Sequence, residues 1–228
     1  MNGAEFVGSA ASTPPIYPPP KATMNATTKS EILLPELHGT PFAGGFYNGK
    51  IRIGVAICAI VWAPKAEGEI KGLWMNKYSD VAGAMSCYDS MANTKAMAEA
   101  GSPIALKALA ASIGGYNDWC IPSRDVLEMG YRYLKPTTEE NDVYRYGDNP
   151  SSIPAGYPYT AASPEQTTVE AFQEGNAEAF DAAWYFSSTQ SSESGAWLQG
   201  FGYGSQDYYG GKDYERRVRF VRLIPLNS

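Results

Sequence analysis

The sequence predicts an α+β domain, and three observations carry that expectation. Alternating apolar segments, "KIRIGVAICAIVW" early in the chain and "RVRFVRLIP" late in it, read as strands. Two segments between them carry helix start and stop signals. A long stretch of turn-forming residues then separates these helices from the last strands. Strands, helices, a loop and strands again is the order expected of an α+β domain whose first and last strands meet in one sheet.

Residues 1–40 stand apart. "STPPIYPPPK" must be extended, because proline fixes φ and gives up its amide donor. It reads either as a tail without structure of its own or as an assembly arm lying on another subunit, with "EILLPELHG" as apolar grip. The globular domain is expected from Pro41 to the end of the sequence, over 41–228. Asn48-Gly49 is a type I′ hairpin signal between two strands, with Ile51, Ile53 and Val55 alternating. "SPIALKALAASIGG" predicts a helix with Ser102 as N-cap, Pro103 in its first turn, Leu106, Leu109 and Ile113 on its inner face, and Gly114-Gly115 as its stop. A second helix is expected over "RDVLEMGYRYL", capped by Ser123 and ended by Pro136. Residues 136–165 are loop-like, and about 136–180 reads as an insertion, interrupted by a short helix in "TTVEAFQEG". "AWYFSST" and "AWLQGF" are strands. "WLQGFGYGSQDYYGGKDYER", 197–216, fits neither a helix nor an alternating strand.

Composition narrows the function. The chain has 228 residues, 44% of them hydrophobic, enough for a core. A net charge of −6 lacks the basic face of a general nucleic-acid binder. His38 is the single histidine, without a visible partner motif for Ser-His-Asp or Cys-His catalysis. Cys58, Cys87 and Cys120 are too widely spaced for a zinc site and read as mostly buried thiols, with one disulfide left open. No segment reaches the roughly 18 apolar residues that span a bilayer. "MNGAEFVGSAASTPP" has neither the basic start nor the apolar stretch of a secretory signal, so cytoplasmic synthesis without an export tag is expected.

Three blocks, "GGYNDWCIPSRDVLE" (114–128), "WYFSST" (184–189) and "AWLQGFGYGSQ…K…RVRFVR" (196–222), resemble the C-terminal domain family of the Legionella collagen-like adhesin. Gly44-Gly45 and the following strand fit that family's opening, and the resemblance covers about 41–228. It implies a C-type-lectin-like fold, found in phage tail and bacterial surface proteins. It implies a non-enzymatic receptor-binding protein of a phage tail, virion-borne, with no cofactor and no metal. Its implied partners are a host cell-surface glycan or protein, other tail proteins through residues 1–40, and copies of itself, such as a trimer. Neither nucleic acid nor membrane insertion is implied. In this family the segment before the last strand faces the ligand. In proteins diversified by a template-directed reverse transcriptase the randomised codons fall there. Adenine mutagenesis of an Asn codon reaches Tyr, Ser, Asp and Gly, the residue types that fill 202–214 here. The resemblance makes Trp197, Gln199, Phe201, Gly204, Gln206 and Lys212 the constant framework between them.

The expected ligand face is therefore Gly202, Tyr203, Ser205, Asp207, Tyr208, Tyr209, Asp213, Tyr214 and Arg216, with tyrosine supplying rigid amphipathic area as in antibody paratopes. Trp119, Trp184, Trp197 and Phe201 are the expected core. The competing reading of 197–216 is an inert crossing loop. Asn117-Asp118 could ligate calcium or merely form a turn. Glu139, Glu140, Asp142 and Asp148 could hold a glycosidase pair, making the protein a surface glycan hydrolase, or be a solvated loop. Arg216, Arg217, Arg219 and Arg222 read as partners of nearby acids rather than a phosphate site. A structural virion or baseplate decoration protein is the main alternative function.

Overall fold

The computed structural model describes Met1, Gly3 and residues 32–226. Most of the expected N-terminal arm lies outside these residues. The domain itself is α+β, as predicted. Its strands are Pro41–Phe42 (β1), Gly45–Ile53 (β2), Ala56–Trp62 (β3), Glu69–Gly72 (β4), Ser152–Ile153 (β5), Trp184–Gln190 (β6), Gly195–Gly200 (β7), Gln206–Gly211 (β8), Arg216–Arg219 (β9) and Val221–Pro225 (β10). Its helices are Lys65–Gly68 (α1), Ser90–Glu99 (α2), Pro103–Ala110 (α3) and Arg124–Leu134 (α4), with 3-10 turns at Ala82–Ala84 and Glu170–Phe172.

Among the described residues the strands form two five-stranded sheets. One runs β1-β2-β3-β10 with β5 on β2; the other runs β4-β9-β6-β7-β8. The first and last strands do meet, since β10 pairs antiparallel with β3, Val221 opposite Trp62. The expected single strand "RVRFVRLIP" is instead shared between the sheets: β9 ends at Arg219 and β10 begins at Val221. Phe220 bridges the junction, its N–H donating to the Gly68 carbonyl at 2.9 Å.

The second sheet is buried on both faces, which explains the consecutive aromatics of β6. Phe186 and Leu198 join a core with Trp74, Trp119 and Val218. Tyr185 and Phe201 join another with Trp62, Tyr131 and Phe180. Trp119 and Phe201 are buried as expected. Trp184 and Trp197 are not core residues: Trp184 is 37% exposed at the start of β6, and Trp197 is half-buried.

Several local expectations change. Asn48-Gly49 is not a hairpin turn. It sits inside β2 at a bulge where the register with β3 shifts between Tyr47 and Lys50. Asn48 is buried there and its side-chain amide donates to the Met129 carbonyl at 3.0 Å. The turn falls at Gly54-Val55, since Ile53 pairs with Ala56, and Gly54 supplies the positive φ of 58°. Helix α3 starts as predicted, with the Ser102 hydroxyl accepting from the Ala105 N–H at 3.4 Å. It ends at Ala110, however, and its buried residues are Ile104, Ala105 and Ala108, while Leu106 is exposed. Ser123 precedes α4 without a side-chain cap bond; its hydroxyl meets that of Ser90 at 3.2 Å. The helix α2 carried no apolar period to announce it, because its inner face buries Asn93 and Thr94. Both are satisfied locally, Asn93 by the Ser86 carbonyl at 2.7 Å and Thr94 by that of Ser90 at 2.7 Å.

Residues from Ile32 onward form one compact unit. The Gly39 N–H donates to Tyr47 at 2.7 Å, and the Tyr47 N–H returns to Thr40 at 2.9 Å. His38 stacks on Tyr133 at 3.8 Å, and burial pushes its imidazole down to about 4. The three cysteines are free thiols, Cys58 and Cys120 buried and Cys87 half-buried.

Candidate functional site

The irregular stretch 197–216 contains a strand that its sequence hides. Residues 206–211 pair with β7 as the sheet's edge, and one extra residue on the edge side gives the site its shape. Ala196 opposes Gly210 and Leu198 opposes Asp207, so the single residue Trp197 faces both Tyr208 and Tyr209. Strict alternation would send neighbouring tyrosines to opposite faces. Here their rings lie together, 4.0 Å apart, with the Tyr208 hydroxyl donating to that of Tyr209 at 2.8 Å. Tyr208 in turn lies 5.6 Å from the ring of Trp197, whose ring also carries the Arg124 guanidinium at 5.3 Å. Arg124 is held by Asp125 at 2.7 Å. The result is a bank of rings, anchored on a charged pair and open at Tyr209, which is 74% exposed.

Glycine makes this edge possible. A Cβ on Gly210 would stand 2.6 Å from Leu198 and 2.7 Å from the Ala196 carbonyl. At the turn before β8, Gly204 has φ +78° and lies against Tyr131, where a Cβ would meet the ring at 2.4 Å. The Gln199 amide donates to the Gly204 carbonyl at 2.9 Å and closes that turn from inside. Gln199, Phe201, Gly204 and Lys212 are buried, the inward framework expected of them, whereas Trp197 and Gln206 are only half-buried. Lys212 donates to Ser79 at 2.7 Å and Gln190 at 2.5 Å with its ammonium over Trp74, and burial pushes it down to about 8.

Opposite the bank stands the loop 142–150. It reads as solvated but is fastened at several points. The Asp142 N–H donates to the Tyr203 carbonyl at 2.7 Å, and the Ser205 hydroxyl donates to the Asp142 carboxylate at 3.0 Å. The Tyr159 N–H donates to Tyr146 at 2.8 Å. From α4, the Arg132 guanidinium donates to Gly147, and Glu128 accepts from Asn149 at 2.6 Å. Arg145, at the loop's tip, has φ 56°, a sparsely populated region for a residue with a Cβ.

Bank and loop enclose a cleft of about 740 Å³, within the usual range for small-molecule sites, which is roughly 300–1,000 Å³. Trp184, Trp197, Tyr208 and Tyr209 face Tyr144 and Tyr146 across it. Asp142, Asp148 and Asp207 supply carboxylates, Arg124 and Arg145 the cations.

Of the expected ligand face, Ser205, Asp207, Tyr208 and Tyr209 line this cleft. Gly202, Tyr203, Asp213, Tyr214 and Arg216 do not. Tyr203 is exposed on the turn above it. Asp213 and Tyr214 occupy the far end of the hairpin, where Arg216 stands over the Tyr214 ring at 5.8 Å. The expected nine-residue face therefore does not form one continuous surface. The residues missed by sequence reasoning are Arg124, Tyr144, Arg145 and Tyr146, together with Trp184 and Trp197, two of the three tryptophans assigned to the core. Only the density of tyrosine in "NDVYRYGD" could have signalled them.

The other candidate residues are placed as follows. Both carboxylate oxygens of Asp118 are taken by Arg222, one at 3.0 Å, and Arg222 also lies over the Tyr116 ring at 3.6 Å. This pair ties "YNDW" to β10 beside the Cys120–Val221 backbone bridge. Arg217 pairs with Asp181 and Arg219 with Glu178, so these three arginines are spoken for by acids. Glu139 and Glu140 are exposed and line no part of the cleft. No group of three or more metal-ligating side chains occurs among the described residues. No helix there is long and apolar enough to cross a membrane. No protein-family model, curated protein or solved structure matches the chain.

Proposed function

We propose that this protein is a non-enzymatic receptor-binding component of a phage tail, with a C-type-lectin-like domain like that of the collagen-like adhesin family. In this reading the cleft between the β7–β8 edge and the loop 142–150 takes a cell-surface ligand. The arm within residues 1–40 joins the domain to other tail proteins, and the domain works as a homo-oligomer in the virion. One observation carries the binding role. Exposed rings are gathered on one face of the β7–β8 hairpin, whose framework residues Gln199, Phe201 and Lys212 are fully buried. Clustered exposed aromatics on a rigid support are what interaction surfaces present. The Tyr, Ser, Asp and Gly content of this edge supports diversification, since side chains outside the buried framework change at little cost to the fold.

The test is retention of the full chain on a panel of bacterial cell envelopes, compared with a Tyr208→Ser/Tyr209→Ser variant. Retention on some envelopes that the variant loses, at an unchanged melting temperature, supports the reading. A parent protein retained by none of them, or a variant retained as well as the parent, overturns it.

A further inference from the structure

We infer that the cleft recognises an uncharged, hydroxyl-rich saccharide, and that it does so through rings and carboxylates without calcium. This inference rests on the receptor-binding reading of the same cleft and adds the chemistry of its ligand. The shape comes first. A concave site of about 740 Å³ suits a short saccharide. A protein partner would call for a broad face of about 800 Å² on each side.

The lining then selects among small ligands. Tyr208 and Tyr209 offer ring faces on one wall, and Tyr144 and Tyr146 offer them on the other, their own centroids 6.1 Å apart. The C–H face of a sugar ring packs on such surfaces through dispersion and the negative ring face. Between the walls, Asp148 and Asp207 make no ion pair among the described residues. Asp207 accepts one local bond, from the Tyr209 N–H at 2.8 Å, and so retains acceptor sites. Arg145 adds a fork of donors. Adjacent hydroxyls of a saccharide donate to the one and accept from the other. Charge excludes the acidic sugars: Arg124 is already committed to Asp125, so three aspartates outweigh the free Arg145 and repel an anion.

The experiment has two arms. In the first, the full chain is applied to an array of uncharged and acidic saccharides in buffer containing EDTA. The expected result is retention on a subset of the uncharged ones, reduced at least tenfold by Tyr209→Ser and by Asp148→Asn while both variants melt with the parent. Retention on no saccharide, retention confined to sialylated or sulfated ones, or retention indifferent to both substitutions overturns the inference. The second arm uses bacterial cell envelopes oxidised with periodate, which cleaves adjacent diols, or digested with protease. Retention abolished by periodate supports the inference. Retention that survives periodate and falls with protease overturns it while leaving receptor binding intact. Array binding with no envelope retention keeps the saccharide site and overturns the receptor reading.

Discussion

The rings of Tyr208 and Tyr209 lie 4.0 Å apart with their hydroxyls bonded at 2.8 Å, although the two residues are neighbours in one strand. A one-residue bulge against β7 accounts for it, because Trp197 is opposed by both. The pair therefore presents a continuous aromatic surface instead of one ring on each side of the sheet. Tyr203 and Tyr214, drawn from the same stretch of sequence, share none of this arrangement.

The four tyrosines should accordingly separate by function. Tyr208→Ser/Tyr209→Ser is expected to abolish envelope retention, since a truncated hot spot costs about 2 kcal/mol or more. Tyr203→Ser and Tyr214→Ser are expected to leave retention within about twofold, well under the 1.4 kcal/mol of a tenfold change. All three proteins should melt with the parent to within about 0.5 kcal/mol, as surface substitutions do. Equal losses from both sets would mean that the ligand spans the whole hairpin.

Much of this scaffold was legible because its signals are local. Ser102-Pro103 opens α3 through one cap and one fixed φ, and the alternation of Val218 and Phe220 with Arg217 and Arg219 marks the last strands. Three of the four arginines, Arg217, Arg219 and Arg222, meet the acidic partners expected of them, whereas Arg216 stands over the Tyr214 ring instead. What was hidden depends on partners distant in sequence. Asn48-Gly49 reads as a turn until Met129 takes the Asn48 amide, and α2 reads as polar until Ser86 and Ser188 surround Asn93. The cleft was half legible. Its tyrosine edge stands out by composition, but the bulge that aligns the rings is a property of the pairing between two strands. The facing loop comes from a segment about sixty residues earlier, as the contact between Asp142 and Ser205 across 63 positions shows.

The tryptophans should divide in the same way. Trp119 is fully buried, with its indole N–H donating to Tyr116 at 3.1 Å, so Trp119→Ala should cost about 3–5 kcal/mol. Trp184, exposed beside the cleft, should cost about 1 kcal/mol or less on the same change. Its loss should weaken retention instead. Chemical-denaturant titrations that give the two variants equal midpoints would contradict the difference in burial.

His38 should impose a pH dependence of definite sign. Its imidazole is held neutral by burial between the rings of Tyr47 and Tyr133, with its pKa brought down from 6.5 to about 4. Between those values the unfolded chain binds the proton and the folded chain does not, so this group's contribution to stability is complete above pH 6.5 and falls as the pH drops toward 4. Glu69 and Glu128, pushed up by burial, work in the opposite direction. The clean measurement is the difference between the parent and His38→Gln, melted from pH 4 to pH 7. The variant should lose part of the slope across pH 4–6.5, and a difference that does not change with pH would refute a neutral, buried histidine.

Glu128 should be the residue on which the far wall of the cleft depends. It sits on α4 at 1% exposure, pairs with Arg132 at 2.8 Å, and accepts from Tyr159 at 2.8 Å and Asn149 at 2.6 Å. Arg132 carries the connection onward to the carbonyls of Gly147 and Tyr157, the latter at 2.8 Å. This charged residue of "RDVLEMGYRYL" thus fastens, at Gly147 and Asn149, the C-terminal end of the loop that bears Tyr144, Arg145 and Tyr146. Desolvation works against its charge and Arg132 in its favour, so the carboxyl is pushed up but remains the partner of three donors, Arg132, Tyr159 and Asn149. Glu128→Ala would strand Arg132 as an uncompensated buried cation, a loss of about 3–5 kcal/mol. For a domain of this size that corresponds to a fall in melting temperature of roughly 6–20 °C. Amide exchange over 142–150 should accelerate more than exchange in β6 and β7, because the loop has no sheet pairing to fall back on once its anchor is gone. Glu128→Gln, which keeps the volume and part of the bonding, should lie between parent and alanine in both measurements. An alanine variant that melts with the parent, or one whose exchange quickens uniformly across the domain, would show that the loop is held by something other than this network.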